Sequence, residues 1–153
     1  MLEREVRFKI DENIKNKIIE SSTLIEDVST CVDLCMGRYG FDSLDKLGYI
    51  IRLRYKNEKC VLESKKRLNN NLWQEEKIVL NTMKEGYKFL KNIGLEPYLY
   101  INRTRQVRAI NEAKIFIDEV DLLGTFVEFE LIEEFDFKDI EYYLKENKQK
   151  MVL

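Results

Sequence analysis

The sequence predicts an α+β fold in which strands curl into a β-barrel, with charged side chains turned inward and helices packed outside. Two observations carry this. First, charges recur at i and i+2 in distant parts of the chain: Glu3, Glu5, Arg7 and Lys9; Arg52 and Arg54; Arg103 and Arg105; Glu128 and Glu130. Such residues share one face of a strand. Second, the opposite faces are at least partly apolar, as with Val6 and Phe8, or Val127, Phe129 and Leu131. Taken alone, EREVRFK reads as a solvated edge. Four or five strands of this kind point instead to a barrel whose lumen is a charged tunnel, its apolar exterior covered by helices.

The elements follow in order. Residues 2–10 alternate as a strand, and Asp11 stands as the N-cap of a short helix to about Ser22, with Ile14 and Ile18 on one side. CVDLCMGRYGF is assigned to no element. GYIIRLRYK (48–56) alternates again, and KCVLESKKR (59–67) is its hairpin partner across Asn57-Glu58. Asn69-Asn70-Asn71 reads as a loop. From about Gln74 to Asn92 the spacing becomes helical through Val79, Met83, Tyr87 and Leu90, with Gly94 as the stop and Pro97 barring continuation. Three strands follow, 98–110, 113–120 and 125–134, joined by turns at Asn111-Glu112 and Leu123-Gly124. Asp136 opens a final amphipathic helix carrying Phe137, Ile140, Tyr143 and Leu144. With no Gly/Ser/Pro-rich linker and no repeat, residues 1–153 are expected to form a single domain.

Composition narrows the chemistry. The 26 basic residues nearly balance 28 acidic ones, so no global field marks a nucleic-acid binder. The chain has no histidine, which excludes a Ser-His or Cys-His nucleophile, a His-ligated zinc and a His general base. Cys31, Cys35 and Cys60 read as reduced, mostly buried thiols, with a redox or metal role for the CxxxC pair as the lesser reading. No membrane span or signal peptide is evident, and a cytoplasmic protein is expected.

A lumen lined by like charges costs roughly 4 kcal/mol per unit pair at about 4 Å and an effective dielectric near 20, unless counter-ions enter. Arginine and lysine call for a polyanion, and phosphates suit the guanidinium fork. Clustered carboxylates call for a hard divalent cation, Mg²⁺ or Mn²⁺ rather than zinc. A metal-bound polyphosphate meets both demands.

In these residues the sequence resembles the CYTH or triphosphate tunnel metalloenzyme superfamily, which includes class IV adenylate cyclases, thiamine triphosphatases and inorganic tripolyphosphatases. Glu3-Arg4-Glu5-Val6-Arg7 is similar to its ExExK signature, with arginine in the lysine place, and Lys9 to a frequent second base. IIRLR (50–54) resembles LRIR, Leu62-Glu63-Ser64-Lys65 resembles LTxK, and Arg103-Thr104-Arg105 resembles KxR. IDEVDLLGTFVEFE (117–130) is the most specific match. Arg38-Tyr39-Gly40-Phe41-Asp42 keeps only the end of a DxYFD-like strand, and Trp73-Gln74-Glu75-Glu76-Lys77 lacks the arginine of REEYE.

The resemblance implies an antiparallel eight-stranded closed barrel. It implies Glu3, Glu5, Asp118, Glu128 and Glu130 around Mg²⁺ or Mn²⁺. Arg7, Lys9, Arg52, Arg54, Lys65, Arg103 and Arg105 would then bind phosphates, and Glu5, Glu128, Glu130 and Lys9 would carry the catalysis. Other readings stand beside these. Arg54 and Arg105 can serve as braces for carboxylates, Asp118 can cap a turn, and a one-residue register change would exchange Lys65 with Lys66. Arg4 and Arg108 read as surface charges, and Tyr98 and Tyr100 as core or tunnel lid. The expected activity is metal-dependent hydrolysis of a triphosphate small molecule by a monomer or homodimer, without nucleic acid or membrane. The alternatives are a cyclase making cyclic AMP and pyrophosphate from ATP, and a non-catalytic polyphosphate-binding module. Class IV cyclases tend to carry a His-Phe pair upstream of ExExK, which a chain without histidine lacks.

Overall fold

In a computed structural model, which describes residues 2–131, eight strands form a closed barrel in the order β1-β5-β4-β3-β2-β6-β7-β8. The strands are β1 (Leu2–Lys9), β2 (Thr23–Gly37), β3 (Tyr49–Lys56), β4 (Lys59–Arg67), β5 (Leu72–Leu80), β6 (Glu96–Ile110), β7 (Ala113–Val120) and β8 (Gly124–Leu131). The helices are α1 (Glu12–Ser21), α2 (Ser43–Leu47) and α3 (Met83–Asn92), with a 3-10 turn at Gly40–Asp42. The pairings β1–β8, β2–β3, β3–β4, β4–β5 and β7–β8 are all antiparallel. The barrel expected from the sequence is therefore the fold observed.

The chain divides into two compact units. The first holds Ser29–Arg103, and the second holds Glu3–Val28 and the chain from Thr104 onward. In the second unit, Val6 and Phe8 of β1, Ile115 and Ile117 of β7 and Val127 and Phe129 of β8 form one apolar face. Ile14 and Ile18, four apart on α1, pack against it. Asp11 caps this helix as expected, its side chain accepting from the Ile14 amide at 2.8 Å. At the helix's other end Arg108 donates to Ser22 Oγ at 2.7 Å and to the carbonyls of Ile19 and Ser22 at 3.1 and 3.0 Å. Arg108 is buried rather than a surface charge, because these C-terminal carbonyls lack helical partners and favour a cation.

In the first unit Met36, Leu53, Leu90 and Leu95 form the buried core, joined by Leu34, Ile51, Leu62, Leu80, Met83 and Tyr87. The apolar stripe of α3 thus covers β2, β3 and β4 from one side. The expected helix over 74–92 is corrected here: Leu72–Leu80 is strand β5, and the helix starts only at Met83. Thr82 caps it, accepting from the Glu85 amide at 3.2 Å. Gln74-Glu75-Glu76-Lys77 are residues that helices tolerate well, but pairing with β4 overrides that propensity. At the far end the Leu95 amide donates to the Leu90 carbonyl and the Gly94 amide to the Lys91 carbonyl, both at 3.0 Å. With Gly94 at φ +90°, this is a Schellman stop, and Leu90 and Leu95 seal it in the core.

The unassigned CVDLC stretch is the second half of the fifteen-residue strand β2. The hairpin at Asn57-Glu58 forms as expected, with both residues at positive φ, the backbone twist that suits a two-residue turn. Residues 132–134 of the last expected strand, and the C-terminal helix on Phe137, Ile140, Tyr143 and Leu144, lie outside the described residues. Among the described residues no helix is long and apolar enough to cross a membrane.

Candidate functional site

Cross-strand partners share a face, so the registers show what lies on the side of the sheet opposite the helices. In the second unit, one rung holds Glu5, Glu130 and Lys114, the next Arg7, Glu128 and Phe116, and the third Lys9, Phe126 and Asp118. Glu3 shares this face by its i+2 spacing and is buried. Asp118, only 1% exposed, is the hub. Arg105 donates to it through two nitrogens, both at 2.7 Å, and Arg7 through a third bond at 2.7 Å. Arg7 Nε lies 3.8 Å from Glu128 and, although buried, makes no hydrogen bond. The Arg7 guanidinium and Lys9 Nζ stand 5.6 and 5.9 Å from the centre of the Phe126 ring, where its face attracts cations.

The first unit repeats the logic. One rung holds Cys35, Arg52, Glu63 and Lys77, its neighbours Asp33, Arg54 and Val61, and Ile50, Lys65 and Glu75. Asp33 is fully buried and accepts from Arg54 Nε at 2.7 Å and from a second Arg54 nitrogen at 2.9 Å. Arg103 donates to the same carboxylate, and an Arg52 nitrogen lies 3.8 Å away. Burial opposes ionisation of Asp33, but the Arg54 hydrogen bond and the charges of Arg52, Arg54 and Arg103 outweigh it and hold its pKa well below the usual carboxylate range. Arg52 Nε donates to Glu63 at 2.8 Å and lies beside Glu75. Burial works against the Arg54 charge, yet the Asp33 bond and the charges of Asp33 and Glu63 raise its pKa further. Lys65 is buried, with Nζ 5.3 Å from the Trp73 ring centre.

Each predicted site residue thus lies on a charged, helix-free face. Glu3, Glu5, Arg7, Lys9, Arg105, Asp118, Glu128 and Glu130 belong to the second unit, and Arg52, Arg54, Lys65 and Arg103 to the first. Arg54 and Arg105 brace carboxylates, and Asp118 is already held by two guanidinium groups. Sequence reasoning missed Asp33 and Glu63 as site residues. Glu63 carried a usable signal, since it shares i+2 spacing with Lys65. Asp33 did not, because Cys31 and Cys35 flank it on its own face and conceal the charge pattern.

Those cysteines are free and buried. Four residues along an extended strand separate Cys31 from Cys35 by about 13 Å, beyond the reach of a disulfide. A redox pair is therefore ruled out for this CxxxC, and burial pushes the Cys35 thiol pKa up, which keeps it protonated.

For a metal, the donor set is hard oxygen only. Glu5 and Glu130 face each other directly across the β1–β8 ladder, two oxygen donors of the kind a hard divalent cation takes. Glu128 sits one rung away. Among the described residues no three carboxylate or thiol groups stand close enough to hold an ion as they are. The glutamates fit Mg²⁺ or Mn²⁺ in chemistry, whereas Asp118 is committed to arginines.

No family model matches this chain, and neither does any curated protein. Solved structures do. The PH1819 protein from Pyrococcus horikoshii OT3 is 18% identical, with a TM-score of 0.82 over 97% of this chain and 92% of that one. A "putative adenylate cyclase" from Vibrio parahaemolyticus is 14% identical, with a TM-score of 0.73 over 100% and 95%. HpAC1 from Hippeastrum, described as having a dominant triphosphatase activity, is 15% identical, with a TM-score of 0.65 over 98% and 89%. At these identities the likeness concerns the fold, and it is the fold that the CYTH resemblance implied.

Proposed function

From this shared barrel fold and its charged faces, we propose that the chain is a CYTH-type triphosphate tunnel enzyme that hydrolyses a triphosphate small molecule with Mg²⁺ or Mn²⁺. The substrate would be inorganic tripolyphosphate, thiamine triphosphate or a nucleoside triphosphate. The observation that carries the reading is Arg7. One end of its guanidinium is held by Asp118, while the buried Nε beside Glu128 lacks an acceptor among the described residues. A buried donor without a partner costs about 1–3 kcal/mol, and a phosphate oxygen would satisfy it.

The reading assigns phosphate contact to Arg7, Lys9 and Arg105 in the second unit and to Arg52, Arg54, Lys65 and Arg103 in the first. Their role is to fix the polyphosphate and to offset the charge that spreads over the transferring phosphoryl oxygens. Glu3, Glu5, Glu128 and Glu130 would hold the cation. When bound, that ion supplies Lewis-acid polarisation of a phosphoryl oxygen and lowers the pKa of a ligated water. No side chain is required as a covalent nucleophile. The carboxylates beside the bases keep the guanidinium groups apart and directed before substrate arrives, so little reorganisation is left for the reaction. A cytoplasmic location and independence of nucleic acid and membrane complete the proposal.

Purified protein is incubated with Mg²⁺ or Mn²⁺ and each of tripolyphosphate, thiamine triphosphate and ATP, and the products are identified. Release of phosphate is expected from at least one. No release from any would end the hydrolase reading. Cyclic AMP from ATP would replace it with the cyclase, and tight binding without turnover would replace it with a binding module.

A further inference from the structure

Asp33 is a heavily engaged carboxylate of the first unit, and neither the sequence motifs nor the fold assigns it a role. It lies on β2, entirely buried, and receives guanidinium groups from two other strands, Arg54 of β3 and Arg103 of β6, with Arg52 at 3.8 Å. The Arg54 contact is bidentate, the arrangement that fixes both the plane and the direction of a guanidinium. Without Asp33, Glu63 would still stand beside Arg52 and Arg54, but the bidentate hold on Arg54 and the bond to Arg103 would be lost, and the three like charges would turn apart more easily. An arginine carries five donors; Asp33 takes two of Arg54's, and Glu63 stands 3.6 Å from another of its nitrogens, so the guanidinium is held in one direction from two sides.

We propose that Asp33 is a positioning residue: it aims Arg54 and Arg103 at the polyphosphate and so raises affinity for a polyanion, although its own charge is negative. The inference rests on the triphosphate reading above. It makes a prediction opposite in sign to simple electrostatics. Removing a negative charge from a cluster of bases should strengthen anion binding if charge alone matters, and should weaken it if aim matters.

The test is calorimetric titration of inorganic tripolyphosphate in the presence of a chelator, so that binding is read without turnover. Asp33→Asn keeps the side-chain shape and removes the charge. Asp33→Glu keeps the charge and displaces it by one methylene. Both are expected to bind about tenfold more weakly than the unaltered protein, the size of one misdirected charge-assisted bond. An aspartate with a purely structural role would lower the melting temperature and leave the affinity of the folded variants unchanged. Unchanged or tighter binding by either folded variant overturns the proposal. If the unaltered protein binds no tripolyphosphate, the triphosphate reading falls and takes this inference with it; the two failures are therefore distinguishable.

A measurement on the unaltered protein covers the case in which neither variant folds. The Arg54 Nε–H resonance is followed by NMR as tripolyphosphate is added. Its protection from solvent exchange should persist, because the Asp33 bond must survive binding. Loss of protection on saturation shows that the ligand displaces Asp33, and that overturns the proposal.

Discussion

Glu5 and Glu130 stand directly opposite each other across the β1–β8 ladder, two carboxylates on one rung where strands normally place complementary partners. Lys114 flanks Glu130 on the β7 side, and Arg7 faces Glu128 on the next rung. In the proposed function these two carboxylates are ligands of the hard cation. Replacing Glu5 with Gln is expected to abolish metal-dependent phosphate release, a fall of about a hundredfold or more. In metal-free protein the same change is expected to leave the fold intact, read as an essentially unchanged urea midpoint. Retained activity, or a marked loss of stability, would show that Glu5 is structural.

Asp33 sets an acid limit on stability. Its folded pKa is depressed below the usual value near 3.9. The unfolded state therefore binds the proton more readily, and the contribution to stability is fully present above about pH 4 and is lost as pH falls through the folded value. Urea titrations from pH 6 downward should show the unaltered protein weakening below about pH 4, with Asp33→Asn lacking that component of the slope. Parallel curves for the two proteins would contradict the assignment.

Gly86 of α3 is buried against Leu53 and Leu80 of the barrel. A methyl group there would meet Leu53 and Leu80 side-chain carbons at 2.6 Å. Helix propensity favours alanine by about 1 kcal/mol, but overpacking costs about 1–3 kcal/mol. Gly86→Ala is thus expected to destabilise, read as a lower urea midpoint at an unchanged slope. A higher midpoint would mean that Leu53 and Leu80 yield freely.

Arg108 closes the C-terminal end of α1 with three hydrogen bonds. Arg108→Met keeps much of the packing volume and removes the donors. A loss of about 2 kcal/mol follows from the unsatisfied carbonyls, without a change in tripolyphosphate affinity. Weaker ligand binding by the folded variant would place Arg108 in the phosphate machinery instead.

How far the sequence could be read depended on periodicity. Strands β1, β3, β4, β6, β7 and β8 each place charge or polarity on one face and apolar residues on the other. That two-residue repeat is a local property, visible before any fold is known. Strand β5 defeated the reading because Gln74-Glu75-Glu76-Lys77 suit a helix in isolation and become strand only through pairing with β4. The second half of β2 was hidden for a related reason. Its Cys31-Val32-Asp33-Leu34-Cys35-Met36 run is nearly all apolar, with one face buried and Val32 and Leu34 half-buried on the other, and its single charge carries no visible pattern.

The residues by themselves determined the chemistry at hand: acids and bases in nearly equal supply, no histidine, and charge repeated on strand faces. These follow from side-chain identity and from the two-residue period of an extended chain. Tertiary structure alone decided which charges meet. Arg54 finds Asp33, Arg103 finds the same carboxylate from seventy residues away, and Arg7 and Arg105 converge on Asp118. Ion pairing of this kind depends on the register of strands far apart in the chain, and register is set by how the apolar faces pack beneath α1 and α3.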